Sequence, residues 1–409
     1  MTDSPESDKL GDGGKGLPPF RAKRMPPDRA TDRLATRPKL WITPVLRPQP
    51  LILRRTSLKI PYLVRMNMHK HSFARVTKAQ RRLDAMLHQA HARRRLAVPD
   101  QPKDRRAFQR RMRTGVIIMP KKGCYISAQQ WNALSYANRI IWMLRTVCHQ
   151  HPDWVLCGPS AAGAYGYSTT LQLQRYVHIA VTERSKAGRH GFVIAHFYKD
   201  PPPTKVVDGM RVTGEIQTMA DCARMLDFEH AMIVCCTGLR KGNLTKEKLR
   251  EFVDNKRKIG GIIRARYVAE RVEPACENGG EVAAFAAMLE LGFAQPKVQV
   301  TYVSPLDERD IRPDFSWKRD DGSIVAGELD GRQKYVDPSM TADSDTIGVI
   351  LREKDRESEL NMLKIDVVRF QMEHVRAREP LRQRLDAARV PRNPLARVSP
   401  FAGFRSAAY

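Results

Sequence analysis

No apolar run in the sequence approaches the length, about 20 residues, that a helix needs to cross a bilayer. The opening stretch MTDSPESDKLGDGGKG lacks the apolar core of a secretory signal. The seven cysteines, Cys124, Cys148, Cys157, Cys222, Cys235, Cys236 and Cys276, never fall into CxxC spacing, so neither a zinc knuckle nor a disulfide framework is indicated. The turn Gly158-Pro159-Ser160 lacks the GKS or GKT ending that lets a Walker loop meet phosphate and Mg2+. Acidic residues are scarce, 44 against 71 Lys plus Arg, which leaves a net charge of +27. These absences point to a cytoplasmic chain with buried free thiols and no membrane partner. The charge excess points to a polyanion, DNA above all, attracted over long range.

At 409 residues the chain is too long for one ordinary domain, and 42% hydrophobic residues suffice to fill real cores. Residues 1–72 are rich in Pro, Arg and Gly without a lasting period. They read as a disordered basic arm, or as an extension upstream of a start at Met66 or Met68. Residues 73–150 read as a winged-helix head. Apolar positions at Leu83, Met86 and Leu87 place a helix over 73–98, ended by Pro99 and Pro102. A second helix starts at Asp104, whose side chain is suited to cap it. TGVIIMPKKGCYIS then gives two short strands about a turn. In that arrangement Arg105, Arg106, Arg110 and Arg113 reach phosphates or a guanine edge, and Lys121 and Lys122 touch the backbone beside them.

Residues 151–274 read as an α+β connector. Ser160 has no base arranged beside it and is expected to cap a helix. His178 and His196 lie on two strands, RYVHIAV and GFVIAHFY, and are expected in structural roles. Helices follow over 213–235, after Thr245 as a cap, and over 260–272.

Residues 275–375 combine a helix ending at Gly292, a three-stranded meander (KVQVTYV, IRPDFSW, SIVAGELD), a helix and a last strand. Residues 376–409 are expected as a flexible basic tail. In the meander, Asp314 lies on the second strand and Glu328 and Asp330 share one face of the third. Glu281 opens the helix before them. Acids gathered this way repel one another, and Mg2+ relieves the repulsion because it prefers hard oxygen donors. Such an ion activates water and stabilises charge on a phosphodiester.

RPDFSW and GELDGRQKY, with thirteen residues between Asp314 and Glu328, resemble a PD-(D/E)xK nuclease core of the very-short-patch-repair-like, restriction-endonuclease-like branch. GGEVAAFAAMLELGF, EKDRESEL and VVRF fit the same pattern. The resemblance implies a three-layer core in which Glu281, Asp314, Glu328 and Asp330 line a metal site, with Asp314 and Glu328 as the Mg2+ ligands. Residue 330 is Asp where many members have the lysine that positions water. Lys334 is the residue that would reach back in its place. MRTGVIIMPKKGCYIS, LCGPSAAGAYGY and RVTGEIQTMADCARML resemble actinobacterial proteins that join an AbiEi-type antitoxin-like head to such a domain. The likeness covers roughly residues 75–375.

Three readings stay open. One is a metal-dependent DNA endonuclease. Another is a non-catalytic transcriptional regulator or type IV toxin–antitoxin antitoxin with a partner toxin or defence protein. The third is a structural basic protein. The oligomeric state is not legible in the sequence.

Overall fold

The computed structural model describes residues 77–330, 356–394, 399–401 and 404. All belong to one compact unit that starts at Phe73. The arm expected over 1–72 and Lys334 lie outside the described residues. The architecture is mixed α/β, with mixed sheets.

The first elements are α1 (Lys78–Ala92), α2 (Pro102–Met112), a hairpin of β1 (Ile117–Lys121) and β2 (Cys124–Ser127), then α3 (Ala128–Ala133) and α4 (Tyr136–Gln150). A capping box opens α1: Gln80 N donates to Thr77 Oγ1, and Thr77 N donates to Gln80 Oε1 at 2.8 Å. The helix expected to run to residue 98 stops at Ala92. Arg94 takes φ 51°, and Leu96 N donates to buried Thr146 Oγ1 of α4 at 2.8 Å, which draws the chain off the helix axis. Ala97 then bridges Tyr125 on the hairpin.

The expected cap of α2 is also corrected. The helix starts earlier, at Pro102, where a missing amide costs nothing. Asp104 is buried inside it and accepts from Arg82 Nε of α1 at 2.9 Å, tying the two helices together. Leu83, Phe108, Ile117 and Tyr125 form the core beneath them, with the Phe108 and Tyr125 rings stacked at 4.7 Å.

The middle region comprises β3 (Val155–Leu156), α5 (Gly158–Ala164), β4 (Val177–Val181), β5 (Gly188–His190), β6 (Val193–Phe197), β7 (Thr204–Val207) and β8 (Met210–Thr213). Their sheet has the order β5-β6-β4-β3-β8-β7, with β3–β8 and β4–β6 parallel. Four helices follow: α6 (Glu215–Met225), α7 (Phe228–Lys241), α8 (Lys246–Asp254) and α9 (Ile262–Arg271). Asp227 caps α7 and Thr245 caps α8, each side chain accepting the amide three residues on.

Ser160 is not a cap. It is buried within α5, accepts from His178 N at 3.0 Å and donates to Gln174 Oε1 at 3.3 Å, pinning the helix to β4. His178 and His196 are neighbours on β4 and β6, with Nδ1 of the first 2.9 Å from Nε2 of the second. Burial lowers their pKa values to about 3 and about 4, so a neutral pair bonds across the sheet. All seven cysteines are buried and free.

The last region begins with α10 (Gly279–Glu290), closed just beyond its end by Gly292 at φ +80°. β9 (Lys297–Val298), β10 (Tyr302–Val303), β11 (Asp310–Ile311), β12 (Phe315–Lys318) and β13 (Ile324–Asp330) follow. A helical stretch over 356–362 leads to β14 (Ile365–Gln371), α11 (Met372–Ala377) and α12 (Glu379–Ala387). The main sheet has the order β14-β13-β12-β9, with β13 and β14 parallel and the other pairs antiparallel.

The first two strands expected in the meander each divide. At Gln299, which has φ 55°, the first becomes β9 and β10. At Pro313, which has no amide to donate, the second becomes β11 and β12. β10 and β11 pair in a small sheet of their own. Residues beyond 376 do not form the expected flexible tail up to 394. Leu381 and Leu385 of α12 are fully buried in a core that also takes in α6, α7, α9, α10 and the β12–β14 strands.

Candidate functional site

Glu281 is placed by the start of α10. Asn278 Oδ1 accepts from Gly280 N at 2.8 Å and Glu281 N at 3.0 Å, which fixes the first turn. The Glu281 carboxylate is 5% exposed and accepts from Glu277 N at 2.6 Å, from the Asn278 amide, and from Gln299 Nε2 at 3.4 Å. Burial raises its pKa. The Glu277 amide opposes the rise, and the charge of Asp314 adds to it.

Asp314 precedes β12. The β12–β13 register pairs Phe315 with Gly327, so one step further Asp314 stands opposite Glu328. Its Oδ2 accepts from Leu329 N at 2.9 Å across the strands. Glu328 is buried on β13. Its Oε1 lies 2.9 Å from Arg356 Nη2 and its Oε2 3.2 Å from Arg369 Nη2. Burial raises the Glu328 pKa, the two arginines resist the rise, and the charges of Asp314 and Asp330 reinforce it. Asp330 meets the same arginine, Oδ1 to Arg369 Nη1 at 3.3 Å, as expected if residues 328 and 330 share a face. Arg369 Nε in turn lies 3.4 Å from Glu357 Oε2.

Glu281, Asp314, Glu328 and Asp330 therefore gather at one end of the main sheet, with Asp314 acting electrostatically on both glutamates. A cavity of about 640 Å³ opens beside them, walled by Gln299, Thr301, Arg309, Arg312, Asp314 and Arg356. Among the described residues, no three Asp, Glu, His or Cys side chains close around a single metal position. Asp314 and Glu328 bring carboxylate oxygens of the kind a hard cation takes, although Arg356 Nη2 already stands 2.9 Å from Glu328 Oε1. Arg356 holds that oxygen as an ion pair only. Sequence reasoning missed Arg356 and Arg369. Both lay inside the flanking pieces EKDRESEL and VVRF, and nothing local marks an arginine as facing a glutamate in a distant part of the chain.

The basic face of the head is built on α2. Arg106, Arg110 and Arg113 recur at helical spacing, and all three are exposed, as is Arg105. Lys122 is exposed at the hairpin turn. Lys121 departs from the expectation of a backbone contact. It turns inward, donates to the carbonyls of Gln174 at 3.3 Å and Arg175 at 3.4 Å, and lies 5.5 Å from the Phe192 ring. Burial lowers its pKa to about 8, against an opposing effect of Cys124. It joins the head to the middle region.

No family model matches the chain, and no curated protein matches it significantly. No helix among the described residues is long and apolar enough to cross a membrane.

Proposed function

We propose that the protein binds DNA through α2 and the β1–β2 hairpin, and that its last region hydrolyses phosphodiester bonds with Mg2+. One observation carries the catalytic part: Asp314 faces Glu328 across β12 and β13, with Glu281 acting on the same charge. The order α10, β9–β12–β13, helical stretch, β14 supports a restriction-endonuclease-like core. The order α1, α2, hairpin supports a winged-helix head.

In this reading Asp314 and Glu328 hold the ion. Bound there, Mg2+ would supply a water of lowered pKa and stabilise charge on the phosphodiester. Glu281, fixed by the Glu277 amide and Gln299, keeps negative charge behind Asp314. Arg309 and Arg312 stand on the cavity wall as positive charge, the first paired with Asp307 and Glu359 and the second with Glu277. Arg369 orients Glu328 and Asp330 together. Lys334 is the chain's candidate for positioning water.

A second reading has one specific observation in its favour. Arg356 and Arg369 already neutralise Glu328, which is the service a cation would perform. A protein so arranged would be a silent nuclease fold serving as a DNA-binding regulator or antitoxin with a partner toxin or defence protein.

Nicking of supercoiled DNA decides between them. The endonuclease reading expects Mg2+-dependent nicking that EDTA abolishes. Asp314→Ala and Glu328→Ala should each lower it at least 100-fold while DNA binding persists. Binding by the wild-type protein without any nicking would favour the regulator, and undiminished cutting by both variants would overturn the assigned ligands.

A further inference from the structure

The middle region holds a second cleft, remote in sequence from the acid cluster, with a volume of about 990 Å³. It lies between the chain after β6, helix α6 and the loop joining α8 to α9. Its lining contributes six cationic side chains, Arg184, Lys199, Arg224, Lys256, Arg257 and Lys258, against two acids, Asp200 and Asp221. One of those acids is already committed. Asp221 is 1% exposed, its Oδ1 accepts from Arg224 Nε at 2.9 Å, and its Oδ2 accepts from the Tyr198 hydroxyl. The remaining excess of positive charge faces the cleft.

Arg224 is the best-built member of this set. Burial opposes its charge, and Asp221, Tyr198 and Cys157 together outweigh burial, so its pKa rises. Its carbonyl accepts from Arg264 Nε at 3.3 Å and Nη2 at 3.0 Å, which fixes the backbone beneath it. Gly261, at φ +81°, lets the α8–α9 loop close over this point. A Cβ there would lie 2.5 Å from the Arg224 carbonyl oxygen. Only Nε of the guanidinium is used. Its two terminal nitrogens make no hydrogen bond among the described residues, and the side chain keeps 20% of its surface open. A guanidinium oriented by a buried carboxylate, with its fork unspent and further cations at the rim, matches the oxygens of a phosphoryl group.

The rest of the wall is apolar and aromatic. Phe197, Phe252, Pro202 and Ile259 line it, with Arg184 4.7 Å from the Phe197 ring and Lys256 4.5 Å from the Phe252 ring. A cleft of this size, with an apolar wall on one side and cationic groups on the other, suits a small anionic molecule. Arg224 sits beside fully buried Asp221, where a small ligand reaches more readily than the backbone of a rigid duplex.

We infer that this cleft binds a phosphorylated small molecule of nucleotide size, its phosphate held by Arg224 and the Lys256–Lys258 rim and its organic part against Phe197 and Phe252. The site is independent of the acid cluster and would make the middle region a sensor of a soluble nucleotide.

Isothermal titration of the full-length chain with pyrophosphate and with ADP tests it. The expected result is saturable binding of ADP, with pyrophosphate competing. Lys256→Gln/Arg257→Gln/Lys258→Gln changes only exposed or half-exposed rim residues and should weaken both probes at least tenfold. Arg224→Lys, which keeps the charge beside Asp221 and removes the fork, should do the same. D314A and E328A should bind both probes as the wild type does, so failure here and failure of the nuclease reading are told apart. Absence of saturable binding by either probe would overturn the inference, as would unchanged affinity in the rim variant. Binding of a short duplex at this rim without binding of ADP or pyrophosphate would overturn it as well.

Discussion

Glu328 and Arg369 stand directly opposite each other on parallel strands β13 and β14, with Oε2 and Nη2 3.2 Å apart and both side chains mostly buried. The pair sits where the last strand of the sheet meets the candidate site, so it ties fold stability to site geometry. Removing one partner leaves the other in a poorly solvated place with weaker compensation, Glu328 facing Arg356 and Arg369 facing Asp330 and Glu357. The loss should therefore fall below about 3 kcal/mol, the figure for a buried pair with no other partner. R369Q and E328Q should each destabilise the protein, and the double variant should be less unstable than their sum, by about 1–3 kcal/mol. Urea unfolding of all four proteins measures this coupling. Additivity would show that Arg356 alone serves Glu328.

Glu281 sets a pH dependence whose sign follows from its raised pKa. Between the ordinary value of 4.5 and the raised one, the folded chain holds a proton that the unfolded chain has released. Stability from this group is therefore complete below 4.5 and is lost as pH rises through the folded pKa. Glu281→Gln cannot ionise. The melting temperature of E281Q relative to wild type should climb between pH 4 and pH 7, and a flat difference across that range would contradict the raised pKa.

The head makes a prediction about salt. Arg106 and Arg110 are exposed on one face of α2, whereas Lys121 is committed to carbonyls of the middle region. Each phosphate contact removed should lower the salt slope of DNA binding by about 1. R106Q and R110Q should each do so, and K121Q should leave the slope unchanged while loosening the junction. A slope that fell with K121Q and not with the arginine variants would reverse the assignment.

Gly327 precedes Glu328 under the Trp317 ring. A Cβ there would lie 2.9 Å from Trp317 Cζ3 and 3.3 Å from Phe315 Cβ, in a fully packed core. Gly327→Ala should cost about 1–3 kcal/mol through overpacking. If Glu328 serves catalysis, it should also lower nicking more than stability alone explains. Thermal unfolding and nicking rates on the same preparation separate the two effects.

Much of this was legible in the residues. Alternation places Glu328 and Asp330 on one face, and their shared contact with Arg369 follows from that period. The four acids that the motif nominated do gather at one end of the sheet. Caps at Thr245 and the left-handed Gly292 were equally local, because a cap depends on a few consecutive residues. Ser160, Asp104 and Lys121 were misplaced for the opposite reason. Their partners, on β4, on α1 and in the middle region, lie 14 to 54 positions away.

Composition, charge and short-range pattern were enough to specify a basic mixed α/β protein, an arginine-bearing helix beside a hairpin, and an acid group on the third strand of a meander. Those features depend on residue type and on periods of two or three to four, which the chain carries locally. Long-range packing alone settled the burial of α12, the arginine clamp on Glu328 and the cationic cleft around Arg224. Each of these arises where segments far apart in the chain share one core or one charge, and no local pattern encodes which distant partner will be met.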